Sequence, residues 1–488
     1  MKSIVFKPAT EIIALIRTQQ ITCEEVSKQF LSQIATHNPT INAISDIRSH
    51  ESVIAEAKEK DSEIKENKPL GVLHGLPMTV KDTYQVKGLI SSNGNPQLKA
   101  NVATEDADLV TLLKKEGAII IGKTNIANFV LDWQSTNKWF GQTNNPYNIE
   151  HVVGGSSGGS AASLAAGFSP LELGTDAGGS IRVPAHFCGV CGLRPTESLL
   201  PMRGNMVTPN SLRMGRYLIV NGPMARNIDD LRLMMDVLST TEQRYSENPP
   251  VDIKQYTLTP NQSIKIAYSA TFDNVELDAE YKEVYEQFLK KIEQSAAFKI
   301  VQTAPKYDSD KLISLWGKIA GFDMGVALKM IPFKRFIASM FIRNMHKDGQ
   351  WGKAMGAGAG INPRRYAEAL EEKDNISDTF TEFFKVHDVW ITPVTADKAF
   401  KHQKSGKPLL INGKKVPYTK AFVPFNFPTT IPGHPILVLP IGITKSGLPV
   451  GIQVHAQKWH DNKLLEIGKV LEDLTDGFQI PGLVARNK

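Results

Sequence analysis

The chain has 488 residues, 41% hydrophobic and 22% charged, with no low-complexity tract, which describes a folded globular protein with a large core. A formal charge of +6, from 56 basic and 50 acidic residues, is too mild to imply nucleic acid as a partner, and no Lys/Arg run supports one. Three cysteines, Cys23, Cys188 and Cys191, are too few for a disulfide framework.

Cys188-Gly-Val-Cys191 is a CxxC pair without a second pair to complete a zinc site, so it reads as buried small hydrophobes and no metal is expected. The opening residues, MKSIVFKPATEIIALIR, lack the apolar core and cleavage site of a signal peptide. No apolar run approaches the ~18 residues of a membrane span. The expectation is a cytoplasmic protein, and length alone allows about three domains.

In chain order, Thr22-Cys-Glu-Glu25 is a capping box that opens a helix through about Ala35. A charged helix follows over Glu51–Lys65, and these first helices are expected to cover the core without contributing chemistry. Leu76-Pro-Met-Thr-Val-Lys-Asp82 has the shape of a buried strand ending in Lys81. The bland reading of Lys81 is a side chain that snorkels from the strand end to water.

Helical spacing over Thr104–Glu116 precedes Gly117-Ala-Ile-Ile-Ile-Gly122-Lys123-Thr124, which matches the P-loop expression letter for letter. In a P-loop the four variable residues form the phosphate-cradling loop. Here they are the strand itself, and nucleotide binding is rejected. Asn125–Asn148 is loop-like, rich in aromatics and amides, and leads straight into the most informative stretch.

That stretch, Gly154–Thr196, holds two glycine-framed serine sites. Gly154-Gly155-Ser156-Ser157-Gly158-Gly159 and Asp176-Ala177-Gly178-Gly179-Ser180 flank a small-residue segment that reads as the start of a buried helix. Two such sites in tandem predict two hydroxyls facing one pocket.

Later elements are a connector over 206–220, a polar excursion over 240–262, a strand at Ser263–Tyr268 and an amphipathic helix at Ala279–Ala296. Ile319–Met345 is rich in Met and Phe (Met324, Met330, Phe333, Phe336, Met340, Phe341, Met345). It reads as a helix pair on the core, with an adaptable cap or a peripheral membrane contact through 324–345 as the sharper alternative. A helix after Pro363, a strand at Asp388–Pro393 and an exposed hairpin over Ala399–Pro417 around Asn412-Gly413 follow. Paired strands at Pro435–Pro440 and Leu448–Val454 and a helix at Asp461–Leu474 complete the set.

Two chemistries fit the serines. Gly154-Gly-Ser156-Ser-Gly158 matches the GxSxG elbow, which would pair Ser156 with a later acid and His434 or His455. That reading leaves the second serine site without a role. The alternative passes a proton from Ser180 through Ser156, with Ser157 beside it, to a neutral Lys81. A lysine can act as a base only where burial or a nearby cation lowers its pKa. Ala177, Gly178, Gly179 and Ser180 would offer backbone N–H groups to an oxyanion, each worth roughly 3–4 kcal/mol in a dry site. Asp176 would hold the turn by pairing with Arg182.

On these residues the chain resembles the amidase signature family. The likeness runs from the Leu76–Asp82 strand through Gly117–Asn125 to Gly447–Gln453, and includes Gly192-Leu-Arg-Pro-Thr196. It implies one α/β domain, a large mixed β-sheet with helices on both faces. Within residues 1–488, 1–70 would form a helical layer, 71–230 the signature core, 240–390 a variable cap, and 391–488 closing strands and helix. It also implies a Lys81–Ser156–Ser180 triad with Ser180 the acyl-accepting nucleophile, a cis Gly155–Ser156 peptide, and no cofactor.

The family spans transamidase subunits, fatty acid amide hydrolases, aryl and peptide amidases and nylon-oligomer hydrolases. Transamidase subunits usually carry Glu-Phe-x-Met-Gly where this chain has Asn128-Phe-Val-Leu-Asp132, and Asn-x-x-Gly-x-Pro where it has Thr430-Ile-Pro-Gly-His-Pro435. Their Tyr-Tyr-x-x-Ala segment is also missing. Val130, Leu131 and Trp133 lie where fatty acid amide hydrolases place acyl-pocket residues, and Phe140-Gly-Gln-Thr143 resembles theirs. The expectation is therefore an amidase for small-molecule amides with an apolar acyl group. The alternative is a glutamine-hydrolysing transamidase subunit, and a homodimer stays open. An inactive scaffold is disfavoured because Lys81, Ser156 and Ser180 are all present.

Overall fold

The computed structural model describes residues 3–485 except 207–216, 241–247, 328–349 and several positions between 250 and 274. α1 (Ala9–Arg17) buries Ala9, Ile12, Ile13 and Ile16, one stripe of a 3.6-residue period. α2 (Cys23–Ile41) opens with the expected capping box. Glu25 N–H donates to Thr22 Oγ1 at 3.1 Å and Thr22 N–H donates to Glu25 Oε2 at 2.9 Å. The helix runs past Ala35 because buried positions continue to Ile41, where Asn42 ends it in the left-handed region at φ 55°.

β1 (Ile44–Ile47) precedes α3 (His50–Lys65), then β2 (Pro77–Lys81), α4 (Asp108–Lys115) and β3 (Ile119–Thr124). These strands form a three-stranded sheet ordered β1-β3-β2, with β2 parallel to β3. All residues of β2 and β3 are buried, as strands covered on both faces require. The P-loop look-alike is thus a core strand. Its Lys123 Nζ donates to the carbonyls of Asp82, Tyr84 and Ile90, and burial pushes this lysine down to about 8.

β4 (Thr136–Asn137) and β5 (Gly141–Gln142) form a short pair in the loop expected over 125–148. α5 (Gly158–Ala165) is the buried small-residue helix. A Cβ on Gly159 would lie 2.3 Å from the Asn125 carbonyl oxygen, so only glycine lets the helix dock there.

The large sheet contains β6 (Leu171–Asp176), β7 (Cys191–Arg194), β8 (Val220–Ala225), β9 (Ile264–Tyr268), β10 (Phe298–Gln302) and β11 (Val389–Pro393). β12 (Leu409–Ile411) and β13 (Lys414–Val416) form a separate hairpin, and β14 (Ile436–Ile443) and β15 (Pro449–His455) return to the large sheet. Its order is β10-β9-β11-β15-β14-β7-β8-β6. Pairing is parallel from β10 to β11 and antiparallel elsewhere, so the sheet is mixed.

Helices cover both faces. Leu437 of β14 meets Gly468 in the helix Asp461–Glu472 on one side. Gly192, next to Leu437's partner Leu193, faces Ala185 of α6 (Arg182–Cys188) and Ile181 just before it on the other. α7 (Ile228–Leu238), α8 (Ala279–Gln294) and α9 (Ser309–Ala327) complete the described helices up to residue 327.

Two expectations change. The hairpin spans only Leu409–Val416, with Asn412 and Gly413 both at positive φ (51° and 76°), and its Leu409 and Ile411 are buried rather than exposed. The stretch over 240–390 is also more than a helical cap, since it supplies β9 and β10 to the sheet. Of the Met/Phe-rich segment, Met324 packs half-buried against the core. The remainder from 328 to 345, including most of the expected membrane contact, lies outside the described residues. No helix among the described residues is long and apolar enough to cross a membrane.

Candidate active site

Lys81 does not snorkel. At the end of β2 it is 0% exposed. Its Nζ lies 2.8 Å from Ser156 Oγ, 2.8 Å from Ser157 Oγ and 2.6 Å from Thr175 Oγ1. Burial pushes its ammonium down from 10.5 to about 7, against Asp176 and Asp82, which favour the charged form. β2 delivers Lys81, the turn before α5 delivers Ser156 and Ser157, and the end of β6 delivers Thr175.

The two glycine-framed turns meet through the backbone. Ser157 N–H donates to the Ser180 carbonyl at 3.1 Å, and the Gly155–Ser156 peptide is cis. A Cβ on Gly155 would sit 2.4 Å from the Asp132 carbonyl oxygen, so the turn is pressed against the aromatic loop. Lys81 and Ser156 are inaccessible, whereas Ser180 is half-buried. Of the three, Ser180 is the one that solvent, and hence a substrate, can reach.

Asp176 pairs with Arg182 through two contacts, Nε to Oδ2 at 3.0 Å and Nη2 to Oδ1 at 2.9 Å, with both side chains fully buried. Burial alone would raise this carboxyl, but Arg182 and Arg194 hold it well below the usual carboxylate range. Asp176 also accepts the N–H groups of Gly179 at 3.0 Å and Ile181 at 3.0 Å. The Gly179 N–H, one of the donors expected to face an oxyanion, is thus taken by Asp176. Among the described residues nothing takes the N–H groups of Ala177, Gly178 or Ser180.

The carbonyls of this turn are held from outside. Trp133 Nε1 donates to Gly178 O at 3.1 Å, and Trp316 Nε1 donates to Ala177 O at 2.7 Å. Trp133 is buried and stacks on Phe422 at 4.9 Å between ring centres. Val130 and Leu131 are half-buried beside it, with Val130 at φ +64°, a strained value for a β-branched residue. A Cβ on Gly178 would lie 2.6 Å from Phe427 Cε1, and one on Gly179 2.7 Å from Asn426 Oδ1. Both glycines are therefore required by the ring and amide packed against them.

The histidines of the alternative chemistry are engaged elsewhere. His434 Nδ1 accepts the Lys458 N–H at 2.8 Å, and His455 Nε2 bonds Thr392 Oγ1 at 2.9 Å. Burial pushes His434 down to about 4. Cys188 and Cys191 are buried thiols pushed up by their surroundings, as small hydrophobes would be.

Thr175, Trp316, Asn426 and Phe427 were not found by sequence reasoning. For Thr175 a signal existed: period-2 alternation along β6 turns it to the face opposite Asp176. For the other three the chain offers no local cue.

A family profile described as Amidase matches residues 25–465. The chain belongs to the amidase signature family. It is accordingly an enzyme acting on amide C–N bonds. Curated proteins similar to it include a glutamyl-tRNA(Gln) amidotransferase subunit of Heliobacterium modesticaldum, 30% identical over 96% of this chain and 97% of that one. The corresponding protein of Lawsonia intracellularis is 30% identical over 99% of this chain and 100% of that one. These relatives bear the transamidase name, whereas the departures at 128–132 and 430–435 underlie the expectation of a general amidase. Among solved structures, a bacterial aryl acylamidase superposes with a TM-score of 0.80 at 22% identity, covering 99% of both chains. A fatty acid amide hydrolase gives 0.81 at 22%, over 97% of this chain and 86% of that one. At such identities the likeness concerns the fold.

Proposed function

We propose that residues 1–488 work as one amidase domain that hydrolyses a linear carboxylic amide through an acyl-enzyme on Ser180. The observation that carries this is Lys81, fully buried, with a lowered pKa and three hydroxyls around its Nζ. A neutral lysine amine has two hydrogens and one lone pair. With Ser157 and Thr175 accepting the hydrogens, the lone pair faces the Ser156 hydroxyl.

Ser156 passes its proton to Lys81 and takes the proton of Ser180, whose Oγ attacks the amide carbonyl carbon. The developing oxyanion accepts from the N–H groups left open in the turn, those of Ala177, Gly178 and Ser180. The proton then returns through Ser156 to the leaving nitrogen, the C–N bond breaks, and the amine departs. Water repeats the cycle on the acyl-enzyme and releases the acid. Arg182 and Asp176 shape the turn and do not touch the reacting atoms.

The acyl group in this reading is apolar, supported by Val130, Leu131 and the buried Trp133 next to the turn. A second reading, glutamine hydrolysis for transamidation, is favoured by the names of the curated relatives. Intact-mass spectrometry after a serine-directed fluorophosphonate tests the chemistry. Label should sit on Ser180, vanish in Ser180→Ala, and form much more slowly in Ser156→Ala and Lys81→Ala. Label on Ser156 that ignores Lys81 would overturn the relay. Comparing ammonia release from glutamine with release from primary amides of rising chain length separates the two substrate readings.

A further inference from the structure

We propose that Trp316 is a positioning residue for the reaction: its indole N–H, donated to the Ala177 carbonyl, aims the Gly178 N–H at the forming oxyanion. The inference rests on the proposed acyl-enzyme chemistry at Ser180.

A trans peptide holds the carbonyl of one residue and the N–H of the next in one rigid plane, pointing in opposite directions. Fixing the Ala177 carbonyl therefore fixes the direction of the Gly178 N–H. The Ala177 carbonyl lies 2.7 Å from Trp316 Nε1, within the range of a good hydrogen bond. The Gly178 N–H, pointing the opposite way in that plane, has no partner among the described residues. The next peptide is arranged differently. Its carbonyl, Gly178 O, receives the Trp133 N–H, but its own N–H rests on Asp176 and is not available to a substrate. Of the two indoles, Trp316 is the one that controls an open donor.

The indole is itself held. It is buried and stacks on Phe427 at 4.1 Å between ring centres and 24° between planes, while Phe427 packs against Gly178. A glycine turn has little conformational restraint of its own. The plane that matters is therefore set by a side chain from α9, 139 residues away in sequence. Donors catalyse well when they are oriented before charge develops, because no reorganisation is then needed.

The test replaces the N–H while keeping the ring. Trp316→Phe is one variant. The second substitutes benzothienylalanine, which keeps the bicyclic shape and has sulfur in place of N–H. For each, the concentration dependence of fluorophosphonate labelling at Ser180 gives a maximal rate and a half-saturation constant. In that reaction Ser180 Oγ bonds phosphorus, fluoride leaves, and the proton enters the Ser156–Lys81 relay. The expected result is a maximal rate down about tenfold, since a misaimed donor forfeits part of the 10²–10³ that a deleted one does. The half-saturation constant should stay within about twofold and the melting temperature should be unchanged in the isosteric variant. A purely structural role would instead lower the melting temperature with the rate. An unchanged maximal rate with Ser180 still labelled overturns the inference and leaves the Ser180 chemistry intact. Absence of label on Ser180 in the unmodified protein overturns the Ser180 reading and this inference with it.

Discussion

Replacing Thr175 by valine probes the lysine environment most sharply, because it removes one hydroxyl and little else. Valine keeps the β-branched shape that suits β6, and Thr175 Oγ1 stands 2.6 Å from Lys81 Nζ. A hydrogen bond to a neutral partner contributes about 1 kcal/mol, and one to a charged group about 2 kcal/mol. The hydroxyl thus favours ammonium over amine by about 1 kcal/mol, and its loss lowers the Lys81 pKa by about 0.7. The acid limb of kcat/KM, set by a lysine at about 7, should then move down toward roughly 6.3. The plateau should fall about tenfold, since one amine hydrogen loses the partner that oriented the lone pair. A pH–rate profile on an anilide substrate reads both numbers. Lower activity paired with a limb displaced to lower pH is the distinctive outcome. A limb that stays near 7 or climbs, with the plateau intact, would refute the assignment of Thr175 as a partner of a neutral lysine.

Two stability predictions follow from buried charge. Asp176→Asn leaves Arg182 and Arg194 buried without their counter-ion and should cost about 3–5 kcal/mol in urea unfolding; a loss under about 1 kcal/mol would contradict the ion-pair account. Glu172 lies wholly inside the protein on β6, bonded to Thr79, and burial pushes its carboxyl up from 4.5 to about 8. A raised carboxyl holds its proton in the folded state and loses it in the unfolded chain, so stability falls as pH rises from about 4.5 to about 8. Glu172→Gln, which mimics the protonated form, should flatten that slope and gain on the order of 2–4 kcal/mol at pH 8 relative to pH 5. Equal slopes for the two proteins would show that Glu172 is not the group responsible.

Much of the site is written locally. Glycines on both sides of the Ser156-Ser157 pair, and two directly before Ser180, mark a backbone that turns tightly or is pressed against something. The structure supplies what presses: Asp132 O against Gly155, Phe427 against Gly178, and Asn426 against Gly179. Lys81 at the end of an apolar run leaves burial and snorkelling both open, and a strand closed on both faces gives that last side chain no route to water. The capping box of α2, the strand expected at 118–121 and found at 119–124, and the Asn412-Gly413 turn are short-range patterns, each legible from neighbouring residues. The hairpin's Leu409 and Ile411 are buried against expectation because alternation reveals one apolar face but not what covers it.

By itself, then, the sequence picked out the hydroxyls and the amine to which the proposed chemistry is assigned, since residue type and the glycines beside them are local properties that no packing alters. Only the tertiary structure decided how those groups are tuned. Thr175 becomes the third partner of Lys81 because β6 lies beside β2, 94 residues away in the chain. The Gly179 N–H, an expected oxyanion donor, is taken because Asp176 folds back to accept it. The Ala177 carbonyl is fixed by Trp316, brought in by α9 from far along the chain. A lysine pKa and the direction of a peptide N–H depend on everything within a few ångströms in three dimensions, and that neighbourhood is assembled from distant strands and helices only when the chain has folded.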